Sequence, residues 1–510
     1  MPRAYFICLF TVVCSLARFE SSVGYADSLT DNASLETRLR EAALAPHVQL
    51  HEIGRSVEGL PLWAIRLRRG KADRVDGLDP AIAQECVALW IGQQHGDEPA
   101  GCEALLKLIG ELSVDASKLS PGLDLWIVPR INPDGAARQR RRNANENDLN
   151  RDHLILSQPE TQAIHRLARK IRPHLFVDCH EFGRDSSDYT KRGWLEWPAI
   201  MIDTANLPIM PEALYLAGVA WCDDAGLRLK EQRINFTRYM VGDCPCAEGN
   251  GELRYSTLDS DDARNGISLY GCVSFIIESG MRREAVNPQS DLELRIDAYE
   301  QLFEYFLEEE DRLRQIRDDA VAVRTQSIPQ AIPTNVFWGN TSARLSSIRV
   351  IELDSGGTLD LATTTLMQDR IVKAAVSVPE AYLIDVEAAA KFAELLEAHA
   401  ISYTVIAEPA SFSIERIRRL KIEDNFDEVY HRYEGRQVMV ALPIEERLLP
   451  VGTLKVDLST LAPIDSRRAI MLLEPRQLFG LYQWREFDDL IGKDGIAPVF
   501  RVFDGVDNHE

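Results

Sequence analysis

The chain has 510 residues, of which 45% are hydrophobic and 27% charged, and its formal net charge is −22. That length exceeds what one ordinary core organises, so two domains are expected. The composition excludes a disordered or membrane-embedded chain, and the acidic surplus excludes non-specific nucleic-acid binding, because a phosphate backbone would be repelled.

Taken in chain order, the N-terminus reads as a secretory signal over residues 1–26. Arg3 precedes the apolar run Phe6–Ala17, and Gly24-Tyr-Ala26 offers a small-x-small cleavage point before Asp27. The run is too short to span a bilayer. A periplasmic or secreted protein with no transmembrane span in its mature form is the expectation. Nine cysteines are present. Cys8 and Cys14 fall in the signal; Cys86, Cys179 and Cys272 sit in strand-like runs and read as small buried hydrophobes.

Strand-like runs follow at Val48–Ile53, Leu60–Leu67, Val87–Ile91, Leu123–Val128, Leu175–Val177 and Val273–Ile277. Helix-period segments lie between and around them, at Leu35–Ala45, Ala100–Leu112, Glu160–Ile171, Pro211–Asp224 and Leu292–Ile316. Such interleaving predicts a mixed, largely parallel central sheet flanked by helices, an α/β catalytic domain over residues 27–325. Sheets of this kind bind ligands at the carboxyl ends of their strands. The prolines in Ser327-Ile-Pro-Gln-Ala-Ile-Pro333 predict a linker over 326–335. Beyond it, Ala381–Asp385, Val386–Ala398 and Tyr403–Ile406 predict a strand–helix–strand unit, and Gln437–Leu442 and Gly452–Asp457 further strands. Residues 336–510 therefore read as a smaller accessory α/β domain.

Four polar segments terminate predicted strands. They are His95-Gly-Asp-Glu98, then Asn132-Pro-Asp-Gly135 with Arg138–Asp152 behind it, then Asp178-Cys-His180-Glu181, and finally Glu278-Ser-Gly280. A catalytic zinc takes three protein ligands and leaves one position open. His95, Glu98 and His180 meet that count with two imidazoles and one carboxylate.

The ordered set of segments resembles the zinc metallocarboxypeptidase family, carboxypeptidase A-like, over roughly residues 30–320. The hairpin-like stretch Gly54-Arg-Ser-Val-Glu-Gly-Leu-Pro-Leu62 adds to the resemblance. It implies one Zn²⁺ per chain held by His95, Glu98 and His180, with Glu278 as general base. It implies that Arg141, of the cluster Arg138, Arg141 and Arg142, polarises the scissile carbonyl. Asn150 and Arg151 would bind a substrate's terminal carboxylate, and Asp148 would orient His95 from behind. A tyrosine is expected some two dozen residues before the base. Tyr255 has nearly that spacing, with Tyr270 in the same region. Where the family reads its substrate side chain, this sequence has Asp259-Ser-Asp-Asp-Ala-Arg264. Its acids would select a basic residue, and Arg264 an acidic one or a carboxylate. The implied activity is a hydrolase that removes C-terminal residues from peptides with a free C-terminal carboxylate. Two alternatives stand beside it: an aspartoacylase or desuccinylase-like zinc amidohydrolase of N-acyl amino acids, and a non-catalytic peptide-binding relative.

Overall fold

The computed structural model describes residues 29–69, 85–242, 244, 253–282, 285, 287–308, 310–341, 346–363, 366–422, 426–427, 432–433, 437–478 and 480–503. The expected signal over 1–26 lies outside them. No helix among the described residues is long and apolar enough to cross a membrane.

The N-terminal part is built on strands β1 (Val48–Arg55), β2 (Pro61–Arg68), β3 (Cys86–Gly92), β4 (Leu123–Val128), β5 (Leu175–Gly183), β6 (Trp194–Glu196), β7 (Ile200–Thr204), β8 (Phe236–Arg238), β9 (Met240–Gly242), β10 (Leu253–Tyr255) and β11 (Val273–Met281). Eight of them form one mixed sheet in the order β1-β2-β4-β3-β5-β11-β7-β8. Its centre, β4-β3-β5-β11, is parallel throughout, and the flanking pairs β1/β2, β2/β4 and β11/β7 are antiparallel.

Every residue of β3 and β4 is buried, which explains their unbroken apolar runs: both faces of the sheet are covered. Alternate residues enter opposite cores. Cys86, Ala88 and Trp90 face the helices Ala100–Val114 and Pro288–Glu308, while Val87, Leu89 and Ile91 face Pro159–Ile171 and Ala263–Ser268. Trp90 is fully buried and stacks on Phe303 with centroids 5.0 Å apart. Burial of such a side chain contributes about 1.5–3 kcal/mol.

Helix boundaries follow the caps. The first helix runs Asn32–Ala42, earlier than its periodicity indicates, because the Asp31 carboxylate accepts from Ser34 N at 2.6 Å. The long segment expected from Leu292 is two helices, Pro288–Glu308 and Glu310–Thr325.

A helix ends at Thr325 and a strand starts at Ala331, inside the stretch expected as a linker. Strands Ala331–Gly339, Ser346–Glu352, Thr358–Thr363, Leu366–Met367 and Asp369–Ser377 then form a β-arm laid on the N-terminal part. Strand Ser346–Glu352 pairs with β6, and Leu366–Met367 pairs with β10. The Trp338 indole donates to Ser256 O at 2.8 Å. The described residues beyond it include a six-stranded antiparallel sheet, containing Ala381–Ile384 and Val499–Val502, with helices Ala389–Ala398 and Pro463–Leu473. This part touches the N-terminal part through His399, whose Nε2–H donates to Leu154 O at 2.8 Å, and Arg467, which donates to Ile209 O at 2.8 Å.

Candidate metal and catalytic centre

Chain direction diverges on either side of β3. The helix after it leads to β4 on one side, while β5 lies on the other, so a crevice opens at the carboxyl ends of β3 and β5. His95 and Glu98 follow β3, and His180 lies in the buried part of β5. Their ligand atoms all lie within 4.8 Å of one another, and all three residues are buried. The Nδ1 atoms converge on the carboxylate: His95 Nδ1 is 2.7 Å from Glu98 Oε1, and His180 Nδ1 is 3.0 Å from Oε2.

The outward nitrogens are held from behind. His95 Nε2 lies 3.1 Å from Asp148 Oδ1, and His180 Nε2 lies 2.8 Å from Asp178 Oδ2. These are the carboxylate–imidazole contacts that fix the tautomer leaving Nδ1 to a metal. Asp148 was expected in this role. Asp178 was not singled out, although its signal was local: residues two apart on a strand share a face.

Burial pulls both imidazoles down, but the carboxylates outweigh it and the net shift is upward. For His95 these are Glu98 and Asp148; for His180, Asp178 and Glu98. Glu98 and Asp148 are held well below the usual carboxylate range, against burial, by the facing histidines and, for Asp148, Arg141. A field this negative, around two borderline-soft nitrogens and one carboxylate, suits a divalent cation and matches a catalytic zinc donor set. A cation bound there keeps Nδ1 unprotonated.

The loop that carries His95 is braced at several points. Gln93 takes a left-handed backbone (φ 50°), and its side chain donates to Gly96 O at 3.0 Å. Asn132 accepts from Gly135 N and donates to the carbonyls of Gln94 and Arg141. Asp134 accepts from Ser56 Oγ and Glu58 N, which ties in the β1–β2 hairpin. A Cβ on Gly96 would stand 2.1 Å from the Gly135 carbonyl carbon. Gly96→Ala is therefore expected to lower stability by about 1–3 kcal/mol or more and to displace His95. Urea unfolding together with zinc titration measures both effects.

Of the arginine cluster, only Arg141 reaches the ligands. Its Nη1 is 3.1 Å from His95 Nδ1 and 3.3 Å from Glu98 Oε1, and its Nε donates to Asp148 at 3.0 Å. Arg138 pairs with Glu58, and Arg142 donates to Glu146 O. Asn150 lies behind the centre, with Nδ2 3.3 Å from His180 Nε2 and Oδ1 accepting from Ala263 N. Arg151 is held charged, against burial, by Asp261, Asp148, Asp259 and Asp262. It lines a cavity of about 320 Å³ that Trp484 and Arg485 of the C-terminal domain help enclose.

Glu278 sits on β11 in register with His180 on β5, and it is 6% exposed. Burial first, then the charge of Glu98, pushes its carboxyl up to about 7 against the pull of His180, His95 and Arg141.

Two expected positions are not brought to this centre. Tyr255 packs edge-on against Trp338 with centroids 5.7 Å apart, and Arg238 covers its ring at 4.2 Å. Arg264 is 1% exposed and donates to Asp262, to Thr257 O and to Ser256 Oγ, so it braces the wall rather than facing the cleft. Tyr270 is a core residue whose hydroxyl meets His165. The tyrosine that reaches the base is Tyr239, between β8 and β9. Burial and then the charge and hydrogen bond of Glu278 hold its phenol well above its ordinary value. No spacing in the sequence marks it.

Residues 38–187 match the zinc carboxypeptidase family. Carboxypeptidase 2 of Trichophyton rubrum is 27% identical over 316 residues, 58% of this chain and 55% of its own. Carboxypeptidase SOL1 of Arabidopsis thaliana is 38% identical over 140 residues, 24% of this chain and 27% of its own. The solved carboxypeptidase A of Helicoverpa armigera superposes with a TM-score of 0.41 at 19% identity, covering 59% of this chain and 75% of that one. The chain thus spans about half the length of the Trichophyton relatives it matches. The matched stretch, residues 38–187, carries His95, Glu98 and His180 together with Arg141, Asp148, Asn150, Arg151 and Asp178, and in that stretch the chain is similar to the zinc carboxypeptidase family.

Proposed function

We propose that the protein is a zinc-dependent metallocarboxypeptidase that hydrolyses the C-terminal peptide bond of peptides. The observation that carries this reading is the convergence of His95, Glu98 and His180 within 4.8 Å, with Glu278 on the adjoining strand. A buried carboxyl beside a metal-binding triad is superfluous in a protein that only binds.

Zinc in that triad supplies a Lewis acid that acidifies water and polarises a carbonyl. The residues of the chain supply the rest. Glu278, with its carboxyl near neutrality, takes the proton of the attacking water and returns it to the departing amine. Arg141 stands over the ligands and meets the negative charge that develops on the carbonyl oxygen. The Arg151 guanidinium, with Asn150 beside it, pairs with the substrate's terminal carboxylate, for which a planar fork is suited. Tyr239 steadies the base through its hydroxyl. An N-terminal signal would deliver the enzyme to the periplasm or the exterior, where peptides are its substrates.

The reading is tested with matched peptides bearing free or amidated C-termini, assayed with and without a chelator. Hydrolysis of the free form alone, abolished by the chelator and restored by zinc, is expected. Equal cleavage of both forms removes the Arg151 assignment. Cleavage of N-acetyl-aspartate in place of every peptide moves the chain to the amidohydrolase reading.

A further inference from the structure

Behind the metal ligands runs a file of buried polar side chains that the reaction does not consume. Asp178, fully buried, accepts at a single oxygen: Oδ2 receives His180 Nε2 at 2.8 Å and Gln94 Nε2 at 2.7 Å, while Oδ1 has no hydrogen-bond partner. Because the Gln94 amide nitrogen faces Asp178, its oxygen faces the other way and lies 2.8 Å from His153 Nε2. His153 Nδ1 is 3.0 Å from His165 Nε2, and His165 Nδ1 is 2.8 Å from the Tyr270 hydroxyl. Gln94, His153 and His165 are each no more than 0% exposed.

The hydrogens in this file have one consistent assignment. An amide oxygen only accepts, so His153 donates through Nε2–H, and its Nδ1 in a neutral ring is an acceptor. His165 must then donate through its own Nε2–H, which leaves its Nδ1 to accept from the Tyr270 hydroxyl. All four bonds therefore point the same way, from Tyr270 through His165, His153 and Gln94 onto Asp178. Hydrogen bonds aligned head to tail polarise one another. Burial keeps both rings neutral, as the assignment requires: His153 is pushed down to about 4 and His165 well below its ordinary value. A proton added to His153 would set its Nδ1–H face to face with the His165 Nε2–H.

We propose that Gln94, His153 and His165, with Tyr270 at the far end, are positioning residues that act through Asp178 on the metal ligand His180. The Gln94 N–H withdraws charge from the carboxylate oxygen that holds His180 Nε2–H. It thereby sets how strongly Asp178 draws on that proton, and so the donor strength and aim of His180 Nδ1. Without His153, the Gln94 oxygen loses the donor that holds it, and the amide's aim at Asp178 Oδ2 loosens. This inference rests on the zinc reading of the triad.

The test uses the full-length protein. Zinc affinity is measured by competition with a chromogenic chelator, alongside kcat and KM on one peptide. His153→Leu removes the donor to Gln94, and a loss of about 10–100-fold in zinc affinity is expected, the usual effect of losing an outer partner of a metal ligand. In the same variant kcat falls while KM holds. His153→Gln, which returns an amide N–H to the position of Nε2, recovers most of the loss. Gln94→Leu weakens zinc to a similar degree, and adding His153→Leu to it causes no further loss, because the two residues act in series.

Unchanged zinc affinity in a folded His153→Leu overturns the relay and leaves a packing role. Should that variant not fold, unchanged affinity in Gln94→Leu overturns it equally. A parent protein that binds no zinc at all overturns the metal reading and the relay together. A parent that binds zinc beside variants that bind it as well overturns the relay alone.

Discussion

Glu278→Gln is expected to lower kcat by about 10²–10⁴-fold, the range associated with removing a positioned general base. Zinc content should match that of the parent. The substitution is nearly isosteric at a site that is 6% exposed, so packing is conserved. Glutamine still offers an oxygen to the Tyr239 hydroxyl, the contact now made by the carboxylate. What it lacks is the capacity to take a proton. Glu278 is raised to about 7 mainly by burial, which places it where a base can both accept a proton and give it up near neutral pH. Losing the carboxylate also relieves a desolvated charge, so thermal stability should hold or rise. Glu98→Gln provides the contrast. Its carboxylate lies between both Nδ1 atoms, so that variant should lose metal and activity together. Metal analysis with steady-state kinetics separates the two. Parental turnover in Glu278→Gln would show that the base lies elsewhere.

The legible and illegible parts of this site differ in how local their signals are. His95, Glu98 and His180 could be read because each follows an apolar run that had to be a buried strand, and the ends of such strands converge. Glu278 could be read for the same reason. Asp178 was equally local, two residues from His180, and went unremarked because the strand was expected to stop at Val177, whereas β5 continues to Gly183. Tyr239 carries no such mark. Its phenol meets Glu278 only because β7 and β8 fold beside β11, an arrangement that depends on pairings remote in sequence. Arg264 looked like a specificity residue because charge in a family-typical segment suggests a cleft. Its side chain instead turns inward to Asp262 and Ser256. The arm over residues 331–377 was invisible to periodicity. Its strand Asp369–Ser377 is largely exposed, and Leu366 finds its partner at Leu253. The polar file from Gln94 to Tyr270 joins residues from four separate segments, which no single-sequence pattern connects.

Mild acid should weaken this protein through its buried histidines. Four histidines are buried in neutral form, and burial is the leading cause of each downward shift: His153 to about 4, His174 to about 3, His399 to about 3, and His165 well below its ordinary value. Their geometry demands neutrality. His174 Nδ1 accepts from Val87 N at 3.0 Å, and His153 Nδ1 accepts within the polar file. Unfolded, each would titrate at about 6.5. Above that pH neither state binds the proton and the contribution to stability is complete. As pH falls through 6.5 the unfolded chain takes up protons that the folded chain refuses, so stability drops until the folded values are reached. At pH 5 each of His153, His174 and His399 has cost about 2 kcal/mol, and His165 acts in the same direction. Buried carboxyls with raised values, Glu278 and Asp152 among them, act the opposite way. His95 and His180 run the opposite way, since their raised values add stability below pH 6.5 when the site is metal-free. The zinc-loaded protein is therefore the form to measure between pH 7 and 5.5, and His174→Asn isolates one contribution. The asparagine oxygen can accept from Val87 N as Nδ1 does, but it cannot titrate. Urea unfolding free energy plotted against pH should fall less steeply in this variant, by up to about 1.4 kcal/mol per pH unit. Parallel slopes in the variant and the parent would mean that His174 takes up its proton without leaving the fold.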